Sequence, residues 1–349
     1  MPLKAASRYL LASGVLSLPI IGGDLARDDR KFFQYAKNVL EERVAAEENT
    51  KQAGAQKDIM HHLLHAEDPM TGEAFSHDQL SIESSLLIAA GADTTSLTMA
   101  AAFFYLLHNP HAMHTLVEEI RSTFNSSGSE DLMAPSKLVG LPYLRAVVDE
   151  TLRLSPPVPS LLPREVLKGG ITIDGSFIPE GTIVGVPAYA IHRNPEYYPE
   201  PDNFCPERWL VTHSDAATSD NTLSSPFLSR SYTRSSVSLA RQAFIAFSQG
   251  SRGCIGRQLA YYELHTALAH LLHRFDVHLA RDLYTQELMR DSTDWRSGCV
   301  DVVKPTEVKE NRPAGKKHSR KVEQFQLFDR FLADRNGPMV EFKERKIYC

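Results

Sequence analysis

The sequence predicts a mainly α-helical fold with a small, segregated antiparallel β region. Three observations carry this. Apolar residues recur at helical spacing through the first half of the chain, and one proline-free helical stretch runs from Ser76 to Asn109. β-Branched residues with turn chemistry are confined to positions 171 to 186.

The 349-residue chain is 42% hydrophobic and 23% charged, within the globular range and sufficient for a sizeable core. Its 38 basic and 43 acidic residues, formal net charge -5, give no broad basic field, which excludes a nucleic-acid partner. Cys205, Cys254, Cys299 and Cys349 lie far apart and form no CxxC pair. That disfavours a zinc site or a disulfide scaffold and fits a reducing compartment. No uninterrupted apolar run reaches the roughly eighteen residues that cross a bilayer, so no membrane span is expected. The nearest run, Tyr9 to Ile21, is short and contains Pro19. With Lys4 and Arg8 ahead of it, it imitates a signal peptide; the other reading is an amphipathic helix ending at Pro19-Ile20-Ile21-Gly22-Gly23.

Lys31 to Ala46 places Phe32, Phe33, Ala36, Val39, Leu40 and Val44 at helical spacing, and a second pattern surrounds Ile59 to Leu64. Ser76 and Gln79 form a capping-box signature, opening a helix that extends about 48 Å and is apolar around most of its circumference. His111 to Phe124 and Tyr143 to Leu154 are amphipathic, the latter introduced by Pro142 and stopped by Pro156-Pro157. Ile171 to Ile173, the Asp174-Gly175 turn, Phe177-Ile178 and Thr182 to Val186 predict a small antiparallel sheet. Thr212 to Ser236 reads as a mobile insertion and Lys304 to Lys321 as a charged surface loop. Arg257 to Phe275 is a further amphipathic helix, and the tail from Phe325 to Phe342 ends in a strand.

The most specific signal is the run from Phe247 to Gly256, Phe-Ser-Gln-Gly-Ser-Arg-Gly-Cys-Ile-Gly, leading straight into the helix at Arg257. A helix start presents unpaired N–H groups and a partial positive charge, which favour anionic sulfur at Cys254. Gly250, Gly253 and Gly256 allow tight turns and close approach to a flat cofactor. Phe247 can exclude water beside the sulfur. The bland alternative for a lone cysteine is an inert buried thiol.

This run resembles, residue for residue, the cysteine-loop signature of the cytochrome P450 superfamily. The resemblance implies haem b with Cys254 as axial iron ligand, Phe247, Gly250 and Gly256 against the cofactor, and Arg252 on a propionate. Ala90-Gly91-Ala92-Asp93-Thr94-Thr95, midway along the long helix, resembles the family's oxygen-binding segment. There the acid and alcohol matching Asp93 and Thr94 organise proton delivery to bound oxygen, and Thr bonding back to the preceding turn is expected to distort the helix locally. Glu150-Thr-Leu-Arg153 resembles the ExxR motif and Pro206-Glu207-Arg208-Trp209 the PERF-type motif, which implies a structural triad of Glu150, Arg153 and Arg208. Arg164 and His192 match propionate-binding positions.

The resemblance runs from about Ala6 to the end but covers only the later part of the family fold. Residues 1–75 match an incomplete segment of F-, G- and H-like helices, and residues 76–349 match the haem-binding core. The expected activity is microsomal, fungal-type monooxygenation of a small hydrophobic substrate. It uses O2 and electrons from NADPH through the NADPH-cytochrome P450 reductase, as in natural-product oxidation. Ala89, Ala90, Val158, Ser160 and Leu161 are the candidate substrate contacts. The location implied for a full-length relative is the cytoplasmic face of the endoplasmic reticulum membrane. This chain, lacking an anchor, is expected in the cytoplasm or against a membrane surface. Two alternatives stand beside this: a truncated, non-catalytic haem-binding remnant, and a reactive-thiol protein that uses Cys254 without haem.

Overall fold

The computed structural model describes residues 25–49, 57–124, 135–212 and 232–279, together with 325, 327–328, 334–335, 338 and 340–345. The stretches read from sequence at 9–21 and 304–321 lie outside the described residues, as does most of 212–236. The chain divides into two compact units, residues 1–92 and 93–349, so the division falls inside the long helix and not ahead of it at residue 75.

In the first unit, α1 (Leu25–Asn49) and the short α2 (Ile59–Leu64) appear where the apolar spacing places them. The long helix, α3 (His77–His108), opens on the expected capping box. The Ser76 amide donates to Gln79 Oε1 at 2.8 Å and the Gln79 amide to Ser76 Oγ at 3.3 Å, which satisfies two donors that helix geometry orphans. Burial is unequal along α3. Leu97, Ala101, Ala102, Tyr105 and Leu106 are buried, whereas Ile82, Leu86 and residues 90–93 are exposed. By length and composition α3 also qualifies as a membrane span, contrary to the expectation from uninterrupted apolar runs. Its scattered Ser, Thr and Gly residues break such runs without lowering the average, and its final turns pack in the core of the second unit.

The second unit is built around α4 (Pro110–Thr123), α6 (Pro142–Leu154) and α9 (Arg257–Arg274), with α5 (Pro135–Val139), α7 (Ala188–Ile191) and α8 (Arg234–Gln242) at the margins. Leu116 and Ile120 of α4, Leu144, Val147 and Val148 of α6, and Leu268 and Leu272 of α9 share one core. α6 is buried from Leu144 to Leu154 except at Arg145. It begins at Leu141-Pro142 without a side-chain cap of its own. Glu119 of α4 supplies one, accepting from the amides of Tyr143 and Leu144 at 2.8 Å each. Arg121 joins α4 to the far end of α9, donating to the carbonyls of Leu272 and Phe275 and pairing with Asp276 at 2.7 Å.

The β region differs from the single sheet expected. Each described ladder is two-stranded and antiparallel. β2 (Ile171–Ile173) and β3 (Ser176–Ile178) form the hairpin that Asp174-Gly175 predicts, with φ of 47° and 75° at the turn. β4 (Ile183–Val184) turns back to β1 (Arg164–Glu165), a pairing that local sequence does not encode. The final ladder sets β5 (Phe275–Leu279) against β8 (Val340–Glu344), and β6 (Leu327–Phe328) pairs β7 (Asp334–Arg335). At the end of the stretch assigned to a mobile insertion, α8 begins as a formed helix, and Thr233 caps it by accepting from the Ser236 amide at 3.2 Å.

Candidate functional site: the cysteine loop and its buried support

The loop before α9 is closed by its own backbone. The Cys254 amide donates to the Phe247 carbonyl at 2.8 Å and the Gly253 amide to that of Gly250 at 3.0 Å. Gly250 sits at φ 73°, a left-handed conformation that costs glycine nothing and a side-chain-bearing residue a strained turn. The turn delivers Cys254 as a free, exposed thiol beside the start of α9, followed by an almost fully exposed Ile255. Gly256 is the N-cap, and a Cβ there would stand 3.9 Å from Cys254 Sγ, on the approach to the sulfur. Phe247 packs inward: its ring lies 5.1 Å from that of Tyr261 on α9, anchoring the base of the loop. Beside it lies a cleft of about 420 Å³ lined in part by Arg145, Asp149, Arg241 and Arg257.

Behind the loop is a charged network without solvent. Glu150 and Arg153 are each 0% exposed and Arg208 2%. Arg153 donates through Nε and Nη2 to the two Glu150 oxygens at 2.8 Å each, through Nη1 to the carbonyls of His192 (2.8 Å) and Pro201 (2.6 Å), and through Nη2 to Asn203 (3.0 Å). All five guanidinium hydrogens are therefore placed. Glu150 also accepts from Arg208 Nε at 3.0 Å, the Cys205 amide at 2.9 Å and the Trp209 indole at 3.0 Å. Burial pushes the Glu150 carboxyl up, but the Arg153 and Arg208 charges outweigh that and hold it at about 2. The triad expected from the two motifs is thus formed. Sequence reasoning missed Trp209, the Cys205 amide and the carbonyls of residues 192, 201 and 203, because those partners come from loop geometry.

His192 departs from its expected place on a propionate. Its Nε2 accepts from the Ile245 amide at 3.0 Å and its Nδ1 meets the Arg153 carbonyl at 3.1 Å, in a fully buried position. An acceptor at one nitrogen and a donor at the other fix the neutral tautomer. Burial, then the Arg153 charge, pushes its pKa down to about 3. With both nitrogens committed inside the protein, His192 ties the buried network to the segment entering the cysteine loop. Arg164 and Arg252, by contrast, are exposed, and neither meets a carboxylate among the described residues.

Asp93 is exposed and Thr94 half-buried on α3, at the first turn of the second unit. α3 is helical without interruption from residue 77 to 108. Thr98 Oγ1 donates to the Thr94 carbonyl at 2.8 Å and Ser96 Oγ to the Asp93 carbonyl at 3.2 Å, back-bonds within a continuous helix. A Cβ at Gly91 would meet open space. Of the expected substrate contacts, Ala89 (half-buried) and Ala90 (exposed) belong to the first unit. Half-buried Val158 and Ser160 and exposed Leu161 belong to the second, where Leu161 bridges Pro187 and the Tyr189 amide donates to Pro159.

The donor set fits an iron porphyrin. A free, exposed sulfur stands at a helix start beside Gly256, and two exposed guanidiniums suit carboxylates.

The family model described as cytochrome P450 matches residues 9–295. Among curated relatives, the chain is 37% identical over 332 residues to cytochrome P450 monooxygenase apf7 of Gibberella fujikuroi, covering 94% of this chain and 54% of that protein. It is 34% identical to apf8 of the same fungus, covering 80% and 64%. With cytochrome P450 monooxygenase atnE of Emericella nidulans it shares 37% identity, covering 82% and 45%. The chain thus spans about half to two thirds of the length of these relatives. The crystal structure of the cytochrome P450DA heme domain superposes with a TM-score of 0.63 at 21% identity, covering 99% of this chain and 61% of that one.

Proposed function

The chain belongs to the cytochrome P450 family, and from that premise we propose that it serves a haem-thiolate monooxygenase of fungal natural-product chemistry. The reaction inserts one oxygen atom of O2 into a small hydrophobic substrate and releases the other as water. Two electrons come from NADPH through a flavoprotein reductase. The observation that carries the reading is the folded cysteine loop, which delivers the Cys254 sulfur into the open beside the start of α9.

Haem b, when bound, supplies the reductive activation of dioxygen. The chain's own residues do the rest. Cys254 Sγ would hold the iron, with Gly256 next to it at the start of α9. Arg164 and Arg252 hold the propionate carboxylates. The Asp93 carboxyl and the Thr94 hydroxyl hold and pass protons toward the oxygen side. Val158, Ser160 and Leu161 line the substrate side. The buried Glu150, Arg153 and Arg208 network fixes the backbone on which the loop stands. By analogy with microsomal relatives the working location is the cytoplasmic face of the endoplasmic reticulum membrane.

The test is spectroscopic. The chain is loaded with haem, reduced and exposed to CO. A red-shifted Soret band typical of thiolate ligation is expected, lost in Cys254→Ala. Absence of haem uptake, or an unchanged spectrum in that variant, overturns the assignment and leaves Cys254 as a reactive thiol at most.

A further inference from the structure

In the first unit, away from the residues assigned to haem chemistry, a tight polar cluster ties α1 to α2. Arg43 of α1 forks onto Asp58, the N-cap of α2, with Nε to Oδ2 at 2.8 Å and Nη2 to Oδ1 at 3.1 Å. It also pairs with Glu47 Oε2 through Nη1 at 2.6 Å. That leaves Glu47 Oε1, which lies 2.6 Å from His61 Nδ1. His65 stands one turn beyond His61, on the same helical face, with ring centroids 4.5 Å apart. Its Nδ1 meets the His61 carbonyl at 2.8 Å, so that nitrogen is the donor and Nε2 is left as a ligand atom.

We propose that Glu47, His61 and His65 form a binding site for a divalent transition-metal ion of the zinc class, which clasps α1 to α2. Three features carry this. One oxygen of Glu47 and one nitrogen from each imidazole all lie within 4.8 Å of one another. A tetrahedral ion with bonds of about 2.0–2.1 Å sets its ligands about 3.3 Å apart, so the widest edge closes by at most about 1.5 Å. His65 is exposed, and its ring swings in at the cost of its hydrogen bond to the His61 carbonyl. Two imidazoles and a carboxylate are a donor set that suits zinc, and the partly exposed setting supplies water for the fourth position. The supporting shell is also in place: hydrogen bonds from Arg43, then His61, hold the Glu47 carboxyl below its usual range, so it stands ready as an anion.

The experiment dialyses the full chain against zinc and counts bound metal per chain in the parent and in His65→Ala, Glu47→Gln and His62→Ala, with far-UV circular dichroism to verify the fold. His65 is exposed and its replacement leaves the helices standing. The expected result is loss of one equivalent in His65→Ala and in Glu47→Gln, and none in His62→Ala, whose ring touches His61 but lies outside the donor set. Equal stoichiometry in the parent and His65→Ala, no zinc on the parent, or an equal loss in His62→Ala would each overturn the proposal. None of these readouts involves haem, so the outcome is separate from that of the CO experiment.

Discussion

Replacing Glu150 by Gln removes one charge and keeps the shape, which makes it a sharp probe of the buried network. The two Glu150 oxygens accept five hydrogen bonds: three at Oε1, from Arg153 Nη2, Arg208 Nε and the Cys205 amide, and two at Oε2, from Arg153 Nε and the Trp209 indole. A glutamine must turn its NH2 toward one of these sets, so two or three donors face a donor whichever way it flips. Two guanidiniums are also left buried without a counter-charge. Removing one partner of a buried ion pair costs about 3–5 kcal/mol. An independent route agrees. The carboxyl is held at about 2 against an ordinary 4.5, and at 1.36 kcal/mol per pKa unit that shift is worth roughly 3 kcal/mol. Urea unfolding followed by tryptophan emission is the assay, since Trp209 donates to the replaced group. With an m-value of about 3 kcal/mol/M the midpoint is expected to fall by about 1 M or more. Lys37→Ala, which breaks an exposed pair at 3.8 Å, is the control, expected to change stability by under about 1 kcal/mol. A Glu150→Gln midpoint within about 0.3 M of the parent would refute the network's role.

Two further outcomes follow from the geometry. His192 is neutral when folded, with its pKa depressed to about 3, whereas unfolded it titrates near 6.5. The unfolded chain therefore binds one more proton between those values, and stability falls on acidification through that window by about 1.4 kcal/mol per pH unit. His192→Asn should flatten the measured slope by one proton, and an unchanged slope would contradict the buried tautomer. Gly170→Ala should destabilise the β2–β3 hairpin by more than about 1 kcal/mol, because Gly170 has φ 71° and a Cβ there would stand 2.5 Å from the Phe177 ring. Thermal unfolding checks this, and a neutral result would show that the ring moves aside freely.

Much of the secondary structure was legible because its signals are local. The capping box at Ser76 and Gln79, the prolines bounding α6 and the Asp174-Gly175 turn each specify structure within a few residues, and each folds as read. The triad of Glu150, Arg153 and Arg208 was implied by the resemblance of its two motifs to those of the family, since spacing alone marks only a common helical pair. Where signals are not local, reading failed. β4 pairs β1 across a loop, and α6 is capped by Glu119 from another helix. α8 opens inside the last three residues of the Ser-rich stretch whose composition suggested no order, and continues past it.

By itself the sequence, through its family resemblance, marked the residues proposed to bear chemistry: the sulfur at Cys254, the acid and alcohol at 93 and 94, and the charges of the network. Only the tertiary structure decided what those groups meet. His192 looked like one more cation for a carboxylate, yet burial and two backbone partners make it a neutral strut. Glu47, His61 and His65 carried no motif at all, and converge because two helices pack. The physical reason is that a side chain's charge and role are set by solvent exclusion and by partners distant in sequence, which no local pattern encodes.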